Sequence, residues 1–264
     1  MKVIGAGAMF EARLFHEKGR DLVEKRLVPR VRAEPVARAA LAREAHVLAA
    51  LKHPAVPELV RVGADDKGPY LVETLVVGAS IRQVVEVWQV RGGVPPRLVA
   101  HVTREAFRVL AELAVHEGPT GPLSPVHGDI APDHVVLAPT GEVRLIDFGA
   151  ARIQGLSPAL LGDDRGTLPF AAPEVARGEA PPSAAADVYS MAATVLFLAT
   201  GEPLCDARSA AAMLLEVGTR GLRTGLLDRA RAFGAAEKAA LVAALAIDPA
   251  RRLSSAAEIL AAFD

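Results

Sequence analysis

Residues 126–152 read "VHGDIAPDHVVLAPTGEVRLIDFGAAR": a polar loop, an apolar run, a turn, a second apolar run, and then Asp147-Phe148-Gly149. Two loops thus present Asp129 and Asp147, with Gly128, Ala131 and His134 in the first of them. The surrounding chain bounds what such loops can serve. At 264 residues and 51% hydrophobic, it can bury a large core as one big domain or two lobes. Lys plus Arg number 30 against 31 for Asp plus Glu, so no global field favours nucleic acid or an anionic membrane. The single Cys205 excludes an internal disulfide framework and fits a reducing compartment. The longest apolar stretch, around Val188 to Ala199, is too short to span a bilayer. The N-terminus has no apolar core of signal-peptide length, so a soluble cytoplasmic protein is the expectation.

The pattern changes character near residue 78. Before it, Arg13 to Phe15, Asp21 to Val28, Pro57 to Val62 and Tyr70 to Val77 read as strands bounded by Gly, Pro or Asp. Among them, the stretch from Pro35 to Pro54 repeats Leu41, Ala45, Leu48 and Leu51 at helical spacing, which predicts one amphipathic helix. After residue 78, helices dominate. One follows Pro95-Pro96 with Val99, Val102, Ala106, Val109 and Leu113 on a single face. Others are expected over Ala186–Thr200, Ala207–Val217, Ala235–Ala246 and Ser254–Ala262. The predicted class is α+β: a β-rich lobe over 1–77 with one helix, joined to a mainly helical lobe over 78–264, in one domain.

The opening "VIGAGAMFEA" admits two readings, because Gly5 and Gly7 after a short strand suit any loop whose backbone approaches phosphate. In the first it resembles a nicotinamide-cofactor dehydrogenase, with Met9 to Lys18 as the helix, Gly19 its stop and Glu24 the ribose partner. Phe10 then occupies the third glycine position, and the rest of the chain lacks the strand–helix alternation a doubly wound sheet needs. In the second reading the loop partners Lys25 on a following strand, with Glu44 inside the amphipathic helix.

The second reading extends down the chain. His127-Gly128-Asp129, Asp147-Phe148-Gly149, "GTLPFAAPE" with Gly166, Thr167 and Ala172-Pro173-Glu174, Asp187 in "ADVYSMAATVLF", and Arg252 follow in order. This ordered set resembles the protein kinase family, of the eukaryotic-like bacterial Ser/Thr type, from Gly5 to about Ala262. The His-Gly-Asp form also resembles small-molecule kinases of the aminoglycoside type, which generally lack the Ala-Pro-Glu segment and its later arginine. Thr167 stands where the family associates a threonine with Ser/Thr substrates.

The resemblance implies a bilobal kinase-like fold, ATP with Mg²⁺ or Mn²⁺, and a protein substrate or regulatory partner protein. It implies that Lys25 holds phosphates, Glu44 orients Lys25, Asp147 binds metal and Asp129 accepts the hydroxyl proton. Gly5, Gly7, Ala12 and Thr74 would complete the nucleotide site, with Glu73 facing the adenine. Asp187 would brace the catalytic loop, and Arg252 would pair with Glu174.

Departures from the family pattern cluster where charge develops. His134 replaces an asparagine that ligates metal, and its imidazole suits Mn²⁺ or Zn²⁺ better than Mg²⁺. Ala131 replaces a γ-phosphate lysine, Phe10 a loop glycine that would have to turn outward or block closure, and Ala12 a valine over the base. Gly128 replaces the arginine that reads an activation-segment phosphate, and from Ile153 to Gly166 only Ser157 carries a hydroxyl. Switching by phosphorylation of that segment is therefore not expected. Two alternatives stay open: a pseudokinase that binds nucleotide or scaffolds a partner, and a hydrolytic metal site from His127, Asp129, His134 and Asp147.

Overall fold

Five strands form an antiparallel sheet in the order β1-β2-β3-β5-β4: β1 Lys2–Ala6, β2 Phe10–Glu17, β3 Arg20–Leu27, β4 Leu59–Asp65 and β5 Gly68–Thr74. The computed structural model describes residues 1–264 except 119–120, 163–164, 206–208, 210–211, 213–214, 217–224 and 264. Within the segment Met9–Lys18, Phe10–Glu17 is a strand and not a helix, which removes the dehydrogenase reading. Its connection to β3 is the two-residue turn Lys18-Gly19, both at positive φ, the geometry that matches strand twist in a tight hairpin. Glu24 lies in β3 with Arg26 Nε 2.5 Å away, so it is committed to an ion pair and not to a ribose.

Strand β3 is central, and every residue from Leu22 to Leu27 is buried, including Glu24, Lys25 and Arg26. Buried charges need partners. Arg26 finds Glu24 and Asp65, and Lys25 finds the two carboxylates described below. Helix α1 (Pro35–Ala50) begins on Pro35, whose missing N–H has no helical partner to lose. It buries Ala37, Ala40, Leu41, Val47 and Leu48 together with two charged residues, Arg43 and Glu44.

Strand β6 (Ala79–Ser80) already pairs with the second part of the molecule, and Ser80 and Gln83 form a capping box on α2 (Ile81–Gln89). Helix α3 (Pro96–Ala114) buries the five residues expected on one face, plus Thr103, Phe107 and Leu110. After the short ribbon β7 (Glu117–Gly118) and β8 (Gly121–Pro122), the two apolar runs of the quoted stretch become β9 (Val135–Leu137) and β10 (Val143–Leu145). The loops flanking this hairpin therefore lie side by side.

Helix α4 (Pro173–Ala176) precedes α5 (Ala184–Thr200), which is buried on all sides from Ala186 to Leu198. Ser183 caps its start, accepting from Ala186 N, and Gly201 at φ +73° closes its end. Among the described residues, three helices follow: α6 (Leu226–Arg229), α7 (Ala235–Ala244) and α8 (Ala256–Leu260). The helix expected over Ala207–Val217 falls mostly outside the described residues. Among the described residues, no helix is long and apolar enough to cross a membrane.

Candidate active site

Strand register builds one wall of the site. Gly5 pairs with Ala12, Ala12 with Lys25, and Lys25 with Leu71, so these four residues form a row across the sheet. Directly paired residues share a face, which puts the lysine, the alanine and the glycine on one surface. Gly7 N donates to Phe10 O at 2.8 Å and closes the turn between β1 and β2.

Lys25 Nζ bonds Glu44 Oε1 at 2.7 Å and Asp147 Oδ1 at 2.8 Å. Three elements thereby converge on one ammonium: β3, α1 and the loop after β10. Glu44 Oε1 also accepts from Phe148 N at 3.1 Å, so the helix grips the segment after Asp147 by its backbone. Burial works against the charge on Lys25, but Asp147 and Glu44 outweigh it and hold the amine protonated. Burial likewise opposes ionisation of Asp147, yet Lys25 beside it keeps that carboxyl well below its usual range. Glu44, fully buried, is shifted upward by desolvation despite Lys25.

The catalytic loop is held from beneath. Asp187 Oδ2 accepts from His127 N at 2.6 Å and Oδ1 from Gly128 N at 2.9 Å, the bracing expected from the sequence. Burial pushes Asp187 up to about 7 even so. His127 Nδ1 accepts from Asp129 N at 3.3 Å, its Nε2 faces Ile146 O at 3.1 Å, and Phe148 packs on the ring. Burial lowers its pKa to about 4, so the ring is neutral. Both nitrogens are engaged, which leaves His127 unable to ligate a metal. Among the described residues no three His, Cys, Asp or Glu side chains converge as a metal-holding group. The hydrolytic metal site therefore lacks its ligand set.

Asp129 accepts from Thr167 Oγ1 at 2.6 Å, and burial raises its pKa. His134 Nδ1 donates to Asp129 O at 2.7 Å, while Nε2 lies 3.8 Å from Asp147 Oδ2. A carbonyl oxygen can only accept, so Nδ1 carries a proton and Nε2 is the ring nitrogen nearer Asp147. The two predicted metal ligands are thus neighbours. Arg252 reaches Glu174 through two bonds of 2.6 and 2.8 Å, also as expected.

A family model described as "Protein kinase domain" matches residues 1–262. This chain belongs to the protein kinase family. Curated relatives include the serine/threonine-protein kinase PknB of Mycobacterium leprae, 29% identical over 209 residues that cover 76% of this chain and 32% of the relative. PknB of Mycobacterium tuberculosis is 29% identical over 211 residues, again 76% of this chain and 32% of the relative. PknL of the same organism is 33% identical over 160 residues, 60% of this chain and 37% of that relative. The chain thus spans about a third of the length of the curated relatives it matches.

Within this kinase domain, some site features escape a reading of the sequence. Phe10 turns inward: Lys25 Nζ stands 4.9 Å from its ring centroid, a cation–π contact. Thr74 Oγ1 accepts from Glu58 N at 2.9 Å and Thr74 N donates to Glu58 O at 3.0 Å, so its side chain and its N–H are both committed to Glu58. Glu73 shares the inner face with Lys25, is 7% exposed, and its Oε2 has no hydrogen-bond partner among the described residues. Arg43, 1% exposed, donates through Nε to Gly149 O at 2.6 Å and through Nη1 to Leu160 O at 3.3 Å. No signal in the sequence pattern marks Arg43, which lies off the apolar stripe of Leu41, Ala45, Leu48 and Leu51.

Proposed function

We propose that this domain transfers the γ-phosphoryl group of ATP to a Ser or Thr hydroxyl of a protein. The observation that carries the reading is the meeting of Lys25, Glu44 and Asp147 within 2.8 Å contacts, beside the loop bearing Asp129. Phosphoryl transfer asks a protein mainly for positioning and for positive charge around the transferred group. Gly5, Gly7 and Ala12 would hold the nucleotide, with Lys25 on its phosphates. Asp147 Oδ2 and Nε2 of a neutral His134 fit a divalent cation, Mg²⁺ or Mn²⁺, whose charge would offset that of the phosphates. Asp129 accepts the proton of the attacking hydroxyl. Its contact with Thr167 supports this role, because Oδ1 already takes a hydroxyl donor at 2.6 Å. Burial makes Asp129 a stronger base than an exposed carboxylate.

The test is ATP binding and phosphate transfer to a peptide pool with Mg²⁺ and Mn²⁺, for the wild type, Asp129→Asn and Asp147→Asn. Asp129→Asn should bind nucleotide yet lose about 10²–10⁴-fold in rate, the usual contribution of a positioned base. Asp147→Asn should lose metal-dependent binding as well. Equal activity in all three proteins rules the reading out.

One observation favours a second reading, a nucleotide-binding or scaffolding module without efficient transfer. The Phe10 ring covers Lys25 and also approaches Gly149, where an added Cβ would lie 3.6 Å from Phe10 Cε2. Phe10→Gly separates the two readings. A large gain in transfer marks Phe10 as an obstruction, and an unchanged rate removes the case for it.

A further inference from the structure

We propose that Arg43 is a positioning residue for phosphoryl transfer: it latches the helix carrying Glu44 onto the segment carrying Asp147, so the competent arrangement is held without an activation-segment phosphate. For its kinetic readout this rests on the function proposed above.

The latch is visible atom by atom. Arg43 Nε donates to Gly149 O at 2.6 Å, Nη2 bonds the same oxygen, and Nη1 donates to Leu160 O at 3.3 Å. Its neighbour on α1, Glu44, accepts the Phe148 N–H at 3.1 Å. Two successive helix residues therefore hold two successive backbone units, one by its N–H and the next by its carbonyl. The planar guanidinium suits this task, since its fixed fork can reach two carbonyls at once and a lysine ammonium cannot reproduce that geometry. Burying such a cation is expensive unless its donors are used. At 1% exposure, Arg43 is held in place by those bonds and transmits any displacement of α1 to Gly149.

Leu160 closes the short turn Pro158–Leu160, in the activation segment. Ser157, its only hydroxyl side chain between 153 and 166, already caps that turn, its Oγ 3.4 Å from Ala159 N. Position 128 cannot supply a phosphate-reading arginine without rearrangement. Gly128 has φ +78°, and a Cβ there would meet Ala150 O at 2.6 Å. A phosphate switch thus lacks its reader at position 128, while Arg43 ties the same two regions together directly.

The experiment compares wild type, Arg43→Met and Arg43→Lys by steady-state kinetics and by hydrogen exchange. In Arg43→Met, exchange over residues 147–161 should speed up while α5 stays protected, because only the latch opens. The turnover number should fall by about 10- to 100-fold with KM for the acceptor peptide unchanged, as expected when reacting groups are misplaced by roughly 1 Å. Arg43→Lys, keeping one donor, should recover part of both effects. Wild-type turnover and wild-type exchange in Arg43→Met overturn the proposal. So does exchange that rises equally over α5, with matching loss of melting temperature in both variants, which marks a purely structural arginine. If the wild type transfers no phosphate, the functional reading fails, and the local exchange difference alone decides the latch.

Discussion

Glu73→Gln is expected to stabilise the protein at alkaline pH and to leave it nearly unchanged near pH 4. Glu73 sits near the end of β5, paired with Val23 and Leu59, with Lys25 on the same face of the sheet. Burial first, and then the nearby Glu44, push its carboxyl from the ordinary 4.5 up to about 8, against the pull of Lys25. Between those values the folded chain keeps a proton that the unfolded chain has lost. Stability therefore falls as pH rises through this window. At 1.36 kcal/mol per pH unit, the rise from 4.5 to about 8 sets a ceiling of about 5 kcal/mol on the loss by pH 8. Glutamine has the shape of the neutral acid and no proton to lose. Urea unfolding of both proteins from pH 4 to 8.5 should give nearly coincident stabilities at the acid end, with the variant ahead by about 2 kcal/mol or more at pH 8. For a chain of this size that gap is roughly 4–8 °C in melting temperature. Asp187 and His127 also titrate abnormally, but both are present in each protein and cancel in the difference. Parallel pH profiles, or a variant that is weaker at pH 8, would refute the reasoning.

Three further outcomes can be measured directly. Arg252→Met strands Glu174 as a buried charge and should cost about 3–5 kcal/mol, read as a lower urea midpoint. Gly128→Ala forces a side chain into positive φ against the Ala150 carbonyl, so a loss of about 1–3 kcal/mol is expected, and an unchanged melting curve contradicts it. His134→Asn removes the imidazole nitrogen beside Asp147, so the ratio of Mn²⁺- to Mg²⁺-supported transfer should drop. An unaltered ratio removes His134 from the metal site.

The elements legible in the sequence are those fixed by spacing and backbone demands. Lys25, Glu44 and Asp147 come together because strand, helix and hairpin loop each follow from local pattern, and their charges have one another as partners. The braces Asp187 to the catalytic loop and Arg252 to Glu174 were legible for the same reason: each joins a full charge to groups it can satisfy. What stayed hidden depends on where a side chain points. Phe10 reads equally well inward or outward until Lys25 and Gly149 are placed around it. Arg43 reads as a solvated charge until the Gly149 and Leu160 carbonyls arrive from more than a hundred positions downstream. Thr74 shows the limit for strands: its register was read to within a few residues, yet Glu58 takes its hydroxyl. The strand itself stops at Thr74 and does not run on to Val77.

The backbone of Asp147 carries a consequence of its own. Its φ of +68° is a left-handed conformation that costs a non-glycine residue about 1–2 kcal/mol. The segment holds that posture while Glu44 and Arg43 grasp backbone groups of the next two residues, Phe148 N–H and Gly149 C=O. On the proposed reading of Asp147 as a cation ligand, helix position and cation affinity would be two faces of one equilibrium. A partner that favours the inward position of α1 would then tighten the hold on the cation by some factor, and thermodynamic reciprocity would require the cation to strengthen that partner by the same factor.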